Sequence, residues 1–306
     1  MSKLTTALLF MLAAALFVFS VKAQERDDSR LKPAERNRSG ILRQLIPGYY
    51  VFSSTSFNSG VIATSEGVVV LDALTSEAIA RQERETIASV IKQPVRFLVS
   101  STFHNNYTWG NVAYRDVVKI GHEDYRIDLL AQMQRDHASS EAQKARLPQV
   151  TYRDRLTIHL GGKEIQVLYL GKGHTRSDSI IFVPQDRIAY VSELFFSDQF
   201  LYINDGYGVS WLKTLDAVEA LPADIIVPGH GPIPEDPRET RQGLHRFHQM
   251  LVDLRDAVQK EIARGATEDQ AAAAIKLPQY EQMQGYKSQR EVAVRRTYRE
   301  MMGTLK

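Results

Sequence analysis

From residue 48 onward, short apolar runs alternate with polar breaks, and the period of each run predicts its element. "GYYVFSS" and "SGVIATSEGVVVLDA" predict strands, the second folding back at a tight turn at Glu66-Gly67. In "SEAIARQERETIASVIKQP", Ile79, Ile87, Val90 and Ile91 fall on one side, which predicts a helix with Ser76 as N-cap and Pro94 beyond its end. "VRFLVSS" and "DVVKIGH" predict strands, and "YRIDLLAQMQ" a helix. "RLTIHLGGKEIQVLYLG" predicts a hairpin about Gly161-Gly162, and "SIIFVP" and "RIAYVSE" two more strands. "SWLKTLDAVEALP" predicts a helix capped by Ser210 and closed by Pro222, and "ADIIVPGHG" a last strand.

After Pro234 the period becomes helical throughout. Leu244, Phe247, Leu251, Leu254, Val258 and Ile262 recur at spacings of three and four, and Gly265 ends the run. Thr267 with Gln270, and Ser288 with Glu291, predict capping boxes for two further helices. No chemically apt cluster stands out here; packing or oligomerisation is the role these helices predict. His245 and His248 stand at helical spacing and read as a solvated face.

The N-terminal pattern is of a different kind. A basic start at Lys3, an apolar run from Ala7 to Phe19 and a small-residue exit at Val21-Lys22-Ala23 predict a signal peptide over residues 1–23. Residues 24–40 are polar and predict a flexible lead-in. The expected divisions are then a mixed α/β domain over 41–235 and a C-terminal helical extension over 236–306. A periplasmic or secreted destination follows, with no stable membrane anchor after cleavage. Without Lys3 and Lys22 the 38 basic residues fall to 36, against 36 acidic ones, so charge gives no general attraction to nucleic acid. There is no cysteine, which excludes disulfides, thiolate metal sites and cysteine nucleophiles.

The candidate chemistry sits just after the strand runs. Asp72, His104, His122, His174, Glu193 and His230 each follow one, and His122, His174 and His230 are bordered by glycine. Strand ends of an α/β sheet gather at one edge, where sites are built. Each histidine alone reads as structural. Together, imidazole nitrogen and carboxylate oxygen make a ligand set for zinc, iron or manganese.

Four of these segments carry a resemblance. "NSGVIATSEGVVVLDA", "LGKGHTRSDSIIFVP", "RIAYVSELFF" and "IIVPGHG" resemble, in order and spacing over residues 41–234, the metallo-β-lactamase fold superfamily. The helical tail resembles a branch of exported bacterial metal-dependent hydrolases. The resemblance implies an αββα sandwich with the site at the loop edge between two sheets. It also shows what has changed. Where the family has His-x-His-x-Asp-His, this chain has His104, then Asn106, Thr108 and Trp109. Ser177 stands where glycine is usual, and Glu193 where Asp is usual. Carried over position by position, one metal site keeps His104 and His174, a second keeps only His230, and Glu193 is the shared carboxylate. Thr108 brings no anionic oxygen, and Trp109 is bulky enough to fill the second site.

The expectation is therefore at most one divalent metal per chain, zinc or iron, held by His104, His174, Glu193 and His230. Asn106 has an amide oxygen to offer, and Asp72 and Asp178 are candidates to orient the histidines. His122 has no ligand role in the family and reads as structural. The aromatic loop "LFFSDQFLYINDGYG" lies where a wall for a small-molecule substrate would stand, or packs the next helix. The function implied is a mononuclear metal-dependent hydrolase of a small molecule. Its rivals are a non-catalytic binding protein of the same fold and a mononuclear iron redox enzyme.

Overall fold

A computed structural model describes residues 40–136 and 140–305. The expected signal peptide and nearly all of the lead-in lie outside the described residues.

The first half of the domain is built on β1 (Ile41–Ile46), β2 (Tyr49–Ser54), β3 (Phe57–Thr64), β4 (Gly67–Leu71), β5 (Val95–Val99), β6 (Val118–His122) and β7 (Val150–Tyr152). The second is built on β8 (Arg155–Leu160), β9 (Lys163–Leu168), β10 (Ile180–Val183), β11 (Ile188–Phe196) and β12 (Ile225–His230). Pairing runs β1-β2-β3-β4-β5-β6-β7 in one half and β8-β9-β10-β11-β12 in the other. The halves meet through one antiparallel residue pair, His230 opposite Phe57.

Strand alternation makes the layers. In β4, Val69 and Leu71 share a core with Ile181 and Val183 of β10 and with Ile188 and Tyr190 of β11. These residues face inward between the half-sheets. Val68 and Val70 point the other way, against Ala80 and Ile87 of α1 (Glu77–Val90). Ile180, Phe182, Ala189 and Val191 likewise turn outward and join the cluster that holds α5 (Gly208–Glu219), α6 (Thr240–Ala263), α7 (Glu268–Ala274) and α8 (Tyr286–Met301). The result is the expected αββα sandwich. Between them in sequence come α2 (Asn105–Thr108), α3 (Glu123–Arg135) and α4 (Glu141–Lys144). No helix among the described residues is long and apolar enough to cross a membrane.

The predicted strands and helices form with two differences at helix starts. Ser210 is not an N-cap: α5 begins three residues earlier than that cap implies, with Tyr207 at the cap. Ser288 and Glu291 form no capping box, because α8 starts at Tyr286 behind Gly285, whose φ of 90° suits glycine. The Thr267–Gln270 box is present. Two strands escape the sequence pattern: β1, whose residues are exposed or half-buried, and β7, only three residues long.

Candidate metal centre

The loops after β5 and β9, a bulge within β11 and the end of β12 deliver the candidate residues to the seam between the half-sheets. His104 follows β5 and stands at the N-cap of α2 with extended backbone. His174 lies between β9 and β10, Glu193 within β11, and His230 at the end of β12. Glu193 follows a local break: Ser192 takes a left-handed φ of 47°, and the β11–β12 register shifts on both sides of it. Such a bulge re-aims the next side chain. Gly173 is required by space, since a Cβ there would lie 2.2 Å from Leu194 Cδ2.

The donors converge. His104 Nδ1 lies 2.7 Å from Glu193 Oε2 and 3.1 Å from His174 Nε2. His174 Nε2 is 3.4 Å from Glu193 Oε1. One ligand atom from each of these three residues fits within a span of 4.8 Å. His230 Nε2 reaches Glu193 Oε1 at 3.3 Å but stands outside that triad. Around an ion with metal–ligand bonds of about 2.0–2.2 Å, tetrahedral donors sit roughly 3.3–3.5 Å apart. The 3.4 Å edge falls in that range and the 3.1 Å edge just below it; the 2.7 Å contact, made by the other Glu193 oxygen, is a hydrogen bond that a cation would have to replace. The donor set fits one divalent cation.

The charges explain how these groups tolerate such close packing. Burial disfavours a charged His104, but the Glu193 and Asp205 carboxylates outweigh it and push its pKa up to about 10. Burial likewise disfavours ionised Glu193, yet His174 and His104 hold it well below the usual carboxylate range. Burial pushes His230 below its ordinary value, opposed by Glu193.

The neighbours act differently from the sequence expectation. Asn106 donates its amide nitrogen to Glu193 Oε1 at 3.0 Å, so it braces the carboxylate and does not present its oxygen as a ligand. Neither Asp72 nor Asp178 hydrogen-bonds a histidine. Asp72 accepts from Ser101 N at 2.7 Å, Ser101 Oγ at 2.6 Å, Tyr190 Oη at 2.9 Å and Ser192 Oγ at 2.8 Å. It thereby ties the end of β5, just before His104, to the strand that carries Glu193. Asp178 accepts from Thr175 N at 2.7 Å and Thr175 Oγ1 at 2.6 Å, which shapes the turn after His174. His122 caps α3 by accepting from Asp124 N at 3.1 Å.

Trp109 does not fill a vacated second site. The rings packed on His230 are Phe57, Tyr107 and Phe196, while Trp109 lies under the Arg146 guanidinium, 4.2 Å from its centroid. Arg146 also donates to Thr108 Oγ1 at 2.6 Å and to Asn105 Oδ1 at 2.5 Å. A cation thus occupies the surroundings of the position where an aspartate is usual.

Sequence reasoning missed Asp205. Its Oδ2 meets His104 Nε2 at 3.1 Å, and His104 holds it below the usual carboxylate range. A carboxylate behind a ligating imidazole fixes ring orientation and tautomer. His174 Nδ1 is buried with no hydrogen-bond partner among the described residues. The only signal for Asp205 was its place in the aromatic loop after Glu193. Most of that loop is packing, since Phe195, Phe196, Phe200, Leu201 and Ile203 are buried. Tyr202 stays 42% exposed beside His174, with ring centroids 6.1 Å apart.

Comparison with known proteins agrees with this geometry. Residues 56–230 match the metallo-beta-lactamase superfamily. A "Metallo-beta-lactamase type 2" of Bacteroides fragilis is 33% identical over 90 residues, 28% of this chain and 36% of the relative. The "2,4-dinitroanisole O-demethylase subunit alpha" of Nocardioides sp. (strain JS1661) is 25% identical over 179 residues, 57% of this chain and 52% of the relative. The chain thus spans about a third to a half of these curated relatives. A stereoselective inverting sec-alkylsulfatase from Pseudomonas sp. superposes with a TM-score of 0.68 over 86% of this chain and 50% of that one, at 16% identity, a likeness of fold.

Proposed function

The chain belongs to the metallo-beta-lactamase superfamily, and from that premise we propose that it is a mononuclear metal-dependent hydrolase of a small molecule. The observation that carries this is the convergence of His104, His174 and Glu193 within 4.8 Å. Two imidazoles and one carboxylate match the three-ligand pattern of catalytic zinc sites. A divalent cation held there would supply Lewis acidity and make water a better nucleophile near neutral pH.

The chain's own groups do the rest. Glu193 is held from three sides, by Asn106, His104 and His230. Asp205 fixes the His104 ring through its remote nitrogen. Phe196 and Trp211 close the inner wall against His174, with centroids 5.4 and 5.5 Å away, and exclude water there. Exposed Tyr202 leaves an aromatic face for a substrate.

Elemental analysis of protein purified without chelator tests the reading, alongside hydrolysis of a panel of small esters and amides. One divalent ion per chain is expected, lost in Glu193→Ala together with the hydrolysis. Two ions per chain, or one that survives Glu193→Ala, would overturn it. The proposal extends to export: the intact mass of exported protein should correspond to cleavage after Ala23, and a retained Met1 would refute that part.

A further inference from the structure

We propose that the cavity beside His104 is a subsite for an anionic group of the substrate, and that its fixed ligand is Arg296, supplied by the C-terminal helix α8. The cavity holds about 180 Å³ and is bounded by α3, the turn after His174, the loop carrying Asp205, and α8. Three guanidinium groups line it, Arg135, Arg176 and Arg296, against two carboxylates, Asp128 and Asp205.

Both carboxylates are already engaged. Arg176 grips Asp128 through Nε at 2.9 Å and Nη2 at 2.7 Å. Asp205 is turned to His104. Arg135 and Arg296 make no ion pair or hydrogen bond to a carboxylate among the described residues, and Arg296 feels the Asp205 charge only at longer range. Arg296 is also oriented: its Nε donates to Gly206 O at 2.9 Å, and its Nη atoms make no hydrogen bond to described residues. A planar fork with its outer edge unsatisfied suits a carboxylate, phosphate or sulfate oxygen pair.

The neighbours on α8 argue against an ordinary surface charge. Arg295 pairs with Glu268, Asp269 and Glu291, and Arg299 pairs with Glu268. Arg296 alone of the three turns toward the loop beside the metal centre. The cavity is large enough for one oxyanion group. Asp205 lines it and touches His104, so an anion held there would place the rest of a short molecule against His104 and Glu193. The substrate class is therefore a small ester or amide carrying a carboxylate, phosphate or sulfate at one end. This catalytic meaning rests on the hydrolase reading; the binding does not.

The test separates the two. Chelator-treated, metal-free protein is titrated at low ionic strength with inorganic phosphate, sulfate and acetate, followed by calorimetry and amide chemical shifts. Saturable binding of at least one anion is expected, and the tightest identifies the group. Arg135→Gln and Arg296→Gln should each weaken it by about tenfold. Arg299→Gln, outside the cavity, should leave it unchanged. Arg135 makes no hydrogen bond or ion pair to described residues, so its variant controls for folding. No saturable binding, or wild-type affinity in both cavity variants, overturns the proposal. On metal-loaded protein, mono-p-nitrophenyl succinate should be hydrolysed about tenfold faster in kcat/KM than p-nitrophenyl acetate, with the preference lost in Arg135→Gln/Arg296→Gln. Equal rates in the wild type overturn the substrate assignment. Anion binding without hydrolysis of either ester supports the subsite and sinks the hydrolase reading.

Discussion

Arg146 decides what a repair of the degenerate motif would do. Its Nη2 sits 2.6 Å from Thr108 Oγ1, and its guanidinium covers Trp109. An aspartate at 108 would meet that guanidinium first and form a buried ion pair, spending its charge away from any metal. Asn106→His/Thr108→Asp/Trp109→His is therefore expected to keep about one metal per chain by elemental analysis. Adding Arg146→Met should move the content toward two. Two metals in the triple variant alone would show that Arg146 is no barrier. Of the site, His104, His174, Glu193 and His230 were legible because each ends a strand run and falls on a family motif. Asp205 and Arg146 were not: they reach the site through loops and tertiary contact, and neither follows a strand. The side-chain direction of Asn106 was equally hidden, since an amide offers a donor at one end and an acceptor at the other.

Among the elements, α5 shows why a helix start can mislead. Its first turn is capped from elsewhere in the chain: Glu300 on α8 accepts from Val209 N at 2.8 Å and Ser210 N at 2.9 Å. Ser210 Oγ donates to the same carboxylate at 2.6 Å, so the serine that marks the helix start in sequence is itself held, not capping. A cap contributed from 90 residues away leaves no local signature. Strands such as β4, β10 and β11 were legible because their apolar runs are buried on both faces; β1 was not, because its mixed, partly exposed residues carry no clean period. Glu300→Ala should cost about 1–2 kcal/mol, the usual worth of a lost N-cap, read as a lower urea midpoint. An unchanged midpoint would mean that α5 starts without help from α8.

For the whole molecule, stability carries a pH signature from buried carboxyls that are not candidate ligands. Glu83 on α1 accepts from Ser59 of β3 and from Tyr114, joining the outer helix to the first half-sheet. Burial pushes its pKa up to about 8, against the lowering effect of those two hydrogen bonds. The folded protein thus keeps a proton that the unfolded chain loses near its ordinary value of 4.5. Unfolding then releases a proton, and stability falls as pH rises from that value to about 8. A tenfold difference in proton affinity is worth about 1.4 kcal/mol, so the fall amounts to several kcal/mol. Asp72, pushed up to about 6 by burial despite its four donors, adds to the lower part of the same fall. Glu83→Gln should flatten the upper part of a urea-midpoint profile taken between about pH 5 and pH 9. A wild-type midpoint that rises across this window would refute the assignment.

The single pair His230–Phe57 that joins the half-sheets also sets an order in time. The ribosome releases β1 to β7 before any of the strands that cover their inner face. Until residues 155–230 follow, Tyr49, Val51, Ile62, Val69 and Leu71 form an uncovered apolar sheet with no partner layer. The site, whose residues come from both sides of the seam, therefore cannot form until the second half-sheet covers the first.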